Sequence, residues 1–179
     1  VTVTRDACGR HFVSFLVEEE VQPLPPASSA IGVDLGITDV CVTSQGFKSG
    51  NPKHLRKYAK KLVRQQRILS RRQKGSKNRQ KARLKVARTH AKIADCRSDF
   101  LHKLSTRLIR ENQTVALESL AVKNMLQNRS LAKSISDAGW GELVRQLRYK
   151  AQWYGRSVVA IDRWYPSSKR CFACGWVKE

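Results

Sequence analysis

An α/β fold built around one mixed sheet, with a strongly basic helical hairpin inserted into it, is the class that this 179-residue sequence predicts. Three observations predict it. Short apolar runs (IGVDLG, QTVALESL, SVVAID) alternate with longer stretches in which apolar residues recur at helical spacing. Two of those runs carry an acid in apolar company, Asp34 and Glu118. Residues 51–110 hold 21 of the 35 Lys and Arg but only two acids, Asp95 and Asp99, so one segment concentrates most of the chain's charge. The length suits one core of ordinary size, or one domain with a small appendage.

The opening VTVTRDACGRHFVSFLVEEE alternates apolar and polar residues on both sides of a Gly-containing turn, which predicts a β-hairpin over residues 1–20. Two strands do not make a stable sheet alone, so the hairpin is expected to be the end of a larger β-domain. VQPLPPASSA carries three of the five prolines among small residues and reads as a linker over 21–30. From Ile31, IGVDLG reads as a buried strand, and VCVTSQG, after the turn at Thr38 and Asp39, as a second strand ending near Gly46, with room for a short third around Phe47. Leu55, Tyr58, Ala59, Leu62, Gln66 and Leu69 then recur at helical spacing until GSKN breaks the pattern at Gly75. A longer helix follows, with a stripe of Val86, His90, Ile93, Arg97, Phe100, Leu104 and Leu108 close to a seven-residue repeat, as two helices packed into an antiparallel hairpin require. QTVALESL is the next strand. A loop (AVKNMLQNRSLAKSISD) leads to a helix from about Ala138 to Tyr154 with Leu143, Leu147, Ala151 and Tyr154 on one face, closed by Gly155 before the strand SVVAID. RWYPSSKRCFACGWVKE reads as a loop entering a cysteine knuckle.

A net charge of +21 repels itself in the folded state and is best offset by a polyanion; nucleic acid is the leading partner and an acidic membrane surface the second. There is no run of about 18 apolar residues and no secretion-signal pattern, so a soluble, cytoplasmic protein without a membrane span is expected. Five cysteines, at 8, 41, 96, 171 and 174, are odd in number and mostly scattered, which argues against a disulfide framework. A solvated helix face usually mixes signs to gain pairs four residues apart, and the 51–110 segment hardly does. Lys60, Arg64, Arg67, Arg71, Arg72, Lys74, Lys77, Arg79 and Arg83 are therefore candidates for contact with nucleic-acid backbone, and Trp164 and Tyr165, in a basic loop, for stacking on bases.

An ionised acid inside an apolar strand is costly unless it is paired, hydrogen-bonded or holding a cation. Taken alone, Asp34 also reads as a residue bonding a tight turn, and Glu118 as a cap or an arginine partner. Taken together, at two strand ends beside a basic insertion, they favour a hard divalent cation, Mg²⁺ or Mn²⁺, held by oxygen ligands. Such ions activate water against a phosphodiester, which is a nuclease chemistry. Cys171 and Cys174 have the spacing of half a zinc site, with a redox pair as the alternative; the other cysteines are scattered, so the two further Zn²⁺ ligands are expected beyond Glu179.

IGVDLGITDV, the basic hairpin with GSKNRQKAR and HKLSTRLIREN, VALESLAVKNM, and DAGWGELVRQLRYKAQWYGRSVVAIDRWYPSSKRCFACG together resemble, in one order over residues 31–175, the TnpB family. These are transposon-encoded proteins related to the miniature type V CRISPR nucleases. The resemblance implies a RuvC-like domain of RNase H topology over 31–165, with the helical insertion at 51–110. It implies the end of an N-terminal β-barrel over 1–20 and the start of a zinc-knuckle insertion over 166–179. It further implies metal-dependent cleavage of DNA under a guide RNA, with Asp34 and Glu118 as catalytic acids, Cys171 and Cys174 as the first CxxC, and no small-molecule substrate. The family's second CxxC and third catalytic acid have no counterpart before Glu179. A nucleic-acid-binding remnant or regulator of transposition without catalysis is the rival expectation for this chain.

Overall fold

A computed structural model describes residues 1–162 and 174–177. Trp164, Tyr165 and Cys171 lie outside the described residues. Strands β1 (Thr2–Arg5) and β2 (His11–Ser14) pair antiparallel, Thr2 opposite Ser14. The turn between them is closed by Asp6, whose carboxylate accepts from the amides of Cys8 and Arg10, while Arg10 also reaches Asp95 at 2.7 Å. The hairpin is thereby tied to the helical region.

The main sheet has four strands in the order β4-β3-β5-β6. β3 (Ala30–Asp34) pairs antiparallel with the short β4 (Val42–Thr43) and parallel with β5 (Thr114–Glu118), which pairs parallel with β6 (Ser157–Ile161). Near Phe47 there is a single bridge, Val42 with Lys48, where a third strand had room. Alternation decides the faces: Ile31, Val33, Val115 and Leu117 are buried, while the residues between them are not.

Between β4 and β5 run α1 (His54–Ser70) and α2 (Lys77–Glu111), joined through the left-handed Gly75. The start of α2 is capped by Ser76, whose hydroxyl accepts from the Arg79 amide. At 35 residues, α2 is about 52 Å long, and its two ends do different work. Its first half packs on α1 through Ala82, Thr89 and Ile93, with Thr89 bonded to Gln65 at 2.7 Å. Its last turns, Leu101, Leu104, Leu108 and Ile109, are in the core under the sheet. The range 51–110 thus holds both a protruding hairpin and part of the domain's own core. The buried stripe also differs from the expected one: Thr89 is inside where His90 is exposed, and Gln66 is exposed beside the bonded Gln65. A strict seven-residue count drifts against the 3.6-residue helical turn, which moves the stripe by one residue.

The segment expected as a loop contains α3 (Val122–Met125) and α4 (Ala132–Ala138), too short to show a period. α5 (Trp140–Trp153) follows at once, because Gly139 turns left-handed at φ 71°. A side chain there would meet Leu101 Cδ1 at 3.0 Å as well as a strained backbone. Leu143, Leu147 and Ala151 of α5 complete the core against α2, and each fully buried leucine contributes about 2 kcal/mol of burial.

Residues 21–30 connect the hairpin to β3 and lie along the domain. The Leu24 amide donates to Tyr154, the Ala27 amide to Gln113, and the buried Arg156 guanidinium to Pro25, Ile109 and Gln113. A guanidinium surrounded only by neutral acceptors holds the strap down.

Candidate metal centre and nucleic-acid interface

Parallel pairing in register brings the two strand-borne acids together. Val33 is level with Leu117, so the next rung carries Asp34 and Glu118, on neighbouring strands about 4.8 Å apart. Both side chains leave the face opposite Val33 and Leu117, away from the helices. Asp34 is exposed and its side chain accepts no hydrogen bond from the described residues; the turn after it is closed instead by backbone, Gly36 donating to Val40 at 3.3 Å. Gly36 is needed there, because a Cβ would sit 2.9 Å from the Asp39 carbonyl. The turn therefore explains the glycine and not the acid. Glu118 is half-buried and level with Ile161, after which comes Asp162, an acid at the same edge that the sequence reading passed over. Two carboxylates on adjacent strand ends are a hard oxygen donor set of the kind Mg²⁺ and Mn²⁺ accept. Among the described residues no three His, Cys, Asp or Glu side chains form a metal-binding group.

The cysteines divide by burial. Cys8 and Cys41 are buried, Cys96 is half-buried on α2, and Cys174 is exposed. Burial pushes the Cys41 thiol up, as for an inert core cysteine. All four of these thiols are free.

Lys60, Arg64, Arg67 and Arg71 follow one another along α1 at spacings of four, three and four, so they share a face. They line a shallow concavity of about 570 Å³ with Val63 and Ile68, both more than 40% exposed. Arg72, Lys74, Lys77 and Arg83 are also exposed, and none of these eight has a carboxylate partner among the described residues. Arg79 differs: its guanidinium donates to the carbonyls of Leu69 and Arg72 at 2.9 Å, closing the end of α1. Trp140 is core, its indole N–H bonded to Gly36.

A buried polar network links α5 to α2. Lys150 donates to the His102 carbonyl and to Ser105 and Thr106 hydroxyls at 2.7–2.9 Å, with no carboxylate partner among the described residues, and burial lowers its affinity for a proton. Ser105 bonds Gln146, and Gln146 bonds Glu142, whose carboxyl the Arg145 guanidinium holds down at about 2.

The sequence of this chain matches the OrfB_IS605 family, described as "Probable transposase", over residues 14–129. It belongs to the OrfB_IS605 family. Residues 140–179 match the Cas12f1-like TNB domain. An OrfB_IS605 relative from Streptomyces pristinaespiralis, named "Putative RNA-guided DNA endonuclease", is 57% identical over 178 residues, 99% of this chain and 44% of that one. InsQ of Escherichia coli (strain K12), which bears the same description, is 37% identical over 191 residues, 98% of this chain and 47% of its own. The chain therefore spans less than half the length of these relatives. Its fold is similar to a chain in the cryo-EM structure of a Cas12f1-sgRNA-target DNA complex, with a TM-score of 0.53 at 16% identity, covering 87% of this chain and 41% of that one. The mixed α/β architecture is thus shared with that protein. No helix among the described residues is long and apolar enough to cross a membrane.

Proposed function

We propose that this OrfB_IS605 chain carries the nuclease core of an RNA-guided DNA endonuclease, with a RuvC-like domain of RNase H topology over residues 31–165. The single observation that carries the proposal is the register that sets Asp34 and Glu118 on one rung of adjacent parallel strands. Family membership and the names of the relatives support it. The β1–β2 hairpin is read as the end of a barrel domain. Asp34 and Glu118 would hold Mg²⁺ or Mn²⁺, which when bound supplies water activation and charge stabilisation at a phosphodiester. The chain's own part is to orient both carboxylates from rigid strand ends, on the sheet face opposite the core helices. The α1–α2 hairpin lays Lys60, Arg64, Arg67 and Arg71 along a phosphate backbone of guide RNA or DNA. Along the axis these cations advance by about 6, 4.5 and 6 Å, against about 3.4 Å per phosphate in one strand of a duplex. Cys171 and Cys174 would give half of a Zn²⁺ site.

The test uses the whole parent protein with its guide RNA. Asp34→Ala is expected to abolish Mg²⁺-dependent cleavage while nucleic-acid affinity changes less than about twofold. Retained cleavage would sink the assignment of Asp34.

A further inference from the structure

Beyond the acids and the hairpin face, the described residues form a third charged feature. A cavity of about 360 Å³ is lined by Ile37, Asn51, Lys53, Arg56, Lys133, Ser134 and Asp137. Its position follows from the topology. Ile37 lies in the turn that leaves β3 just after Asp34, Lys53 and Arg56 open α1, and Lys133 and Asp137 belong to α4, which follows β5 and α3 in the chain. The cavity thus lies beyond the carboxyl end of β3, the strand that carries Asp34, and open α/β sheets bind their ligands at the carboxyl ends of strands.

Its charge is not balanced from within. Lys53, Arg56 and Lys133 have no carboxylate partner among the described residues. The one acid in the lining, Asp137, accepts from the Leu55 amide on both oxygens, at 2.9 and 3.0 Å, so one carboxylate engaged at the start of α1 stands against three cations. Lys53 is also the one non-glycine residue at positive φ among the described residues, at 48°. Asn51 holds it there, accepting from the Lys53 amide at 3.0 Å and donating to the Ile37 carbonyl at 2.7 Å. Glycine or asparagine would take that backbone at less cost, so the strain is accepted at a position that contributes a cation.

We propose that this cavity is a phosphate-binding site for the nucleic-acid strand, seating one backbone phosphodiester past the end of the strand that carries Asp34. The inference rests on the functional reading above, in that the ligand is nucleic acid. A concave site with three unpaired cations is matched by a compact anion, and a phosphodiester within a strand presents one, a single charge shared by two free oxygens.

The test is binding of a single-stranded oligonucleotide to the whole chain in EDTA, titrated against salt, so that cleavage plays no part. The triple variant Lys53→Asn, Arg56→Gln, Lys133→Gln removes the charge, and asparagine tolerates the left-handed backbone at 53. Expected are an affinity loss of about tenfold or more at about 0.1 M salt and a log–log salt slope shallower by about 0.7, the share of one phosphate contact. The control neutralises three exposed cations elsewhere, Arg5, Lys123 and Arg148. Lys133→Glu alone, on a different helix, is the second variant and should also weaken binding more than any single control change. Losses equal to the control's would overturn the site while leaving the nuclease reading intact. Absence of binding by the unaltered chain would overturn both.

Discussion

The first turn of α1 depends on a carboxylate 82 residues away in sequence. Lys53, at the N-cap position, is left-handed and provides no side-chain cap, so the Leu55 amide is satisfied by Asp137 from α4, which is only 9% exposed. Asp137→Ala removes the cap, a loss of about 1 kcal/mol, and a negative charge at a partly buried helix N-terminus, a further loss of about 1 kcal/mol. The total is about 2 kcal/mol, which for a domain of this size lowers Tm by about 4–8 °C. Asp137→Asn keeps an acceptor of the same shape without the charge and should lose about half as much. Thermal unfolding followed by circular dichroism reads both shifts, and hydrogen exchange at residues 54–57 locates them. If both variants melt within about 1 °C of the unaltered protein, or if protection at the start of α1 is unchanged, Asp137 does not cap this helix and the reasoning fails.

Glu142 has its carboxyl lowered from 4.5 to about 2, chiefly by the Arg145 guanidinium, so the stability it contributes is present above about pH 4.5 and lost as pH falls toward 2. Its side chain is 39% exposed, which limits the effect to about 1 kcal/mol, and Glu142→Gln should flatten the acid limb of a pH–stability curve by that amount. Lys150 has its pKa lowered from 10.5 by burial, so its charged form is a cost below the folded pKa that is relieved as pH rises toward 10.5. Lys150→Met should be neutral or stabilising by about 1 kcal/mol near pH 7, with wild-type catching up at alkaline pH, whereas Lys150→Ala should lose about 2 kcal/mol to a cavity; denaturant titrations across pH separate the two. Arg156→Ala should release the 21–30 strap, seen as new protease cleavage between Val21 and Ala30, and cost about 2–3 kcal/mol, since three bonds to a buried charged donor are lost. Charge reversal at Arg64, Arg67, Arg71 and Lys74 should weaken nucleic-acid binding and flatten its salt dependence; an unchanged salt slope would mark the hairpin as an ordinary solvated face.

Much of this molecule is local in origin and therefore readable along the chain. Alternation places Val33 and Leu117 inward and hence Asp34 and Glu118 outward, Gly75 separates two helical periods, Gly155 ends α5, and the basic excess of 51–110 is a matter of composition. The short helices α3 and α4 escaped because a helix of four or seven residues has too few turns to show a period. What only the tertiary structure decided is which distant groups meet. The register that levels Asp34 with Glu118, the Asp137 carboxylate on Leu55, the Lys150 amine among α2 acceptors and Arg156 on Pro25 join residues 44 to 131 positions apart. The physical reason is that patterning fixes which face of an element is buried, whereas strand order and helix packing, set by the whole core at once, fix what that face is buried against.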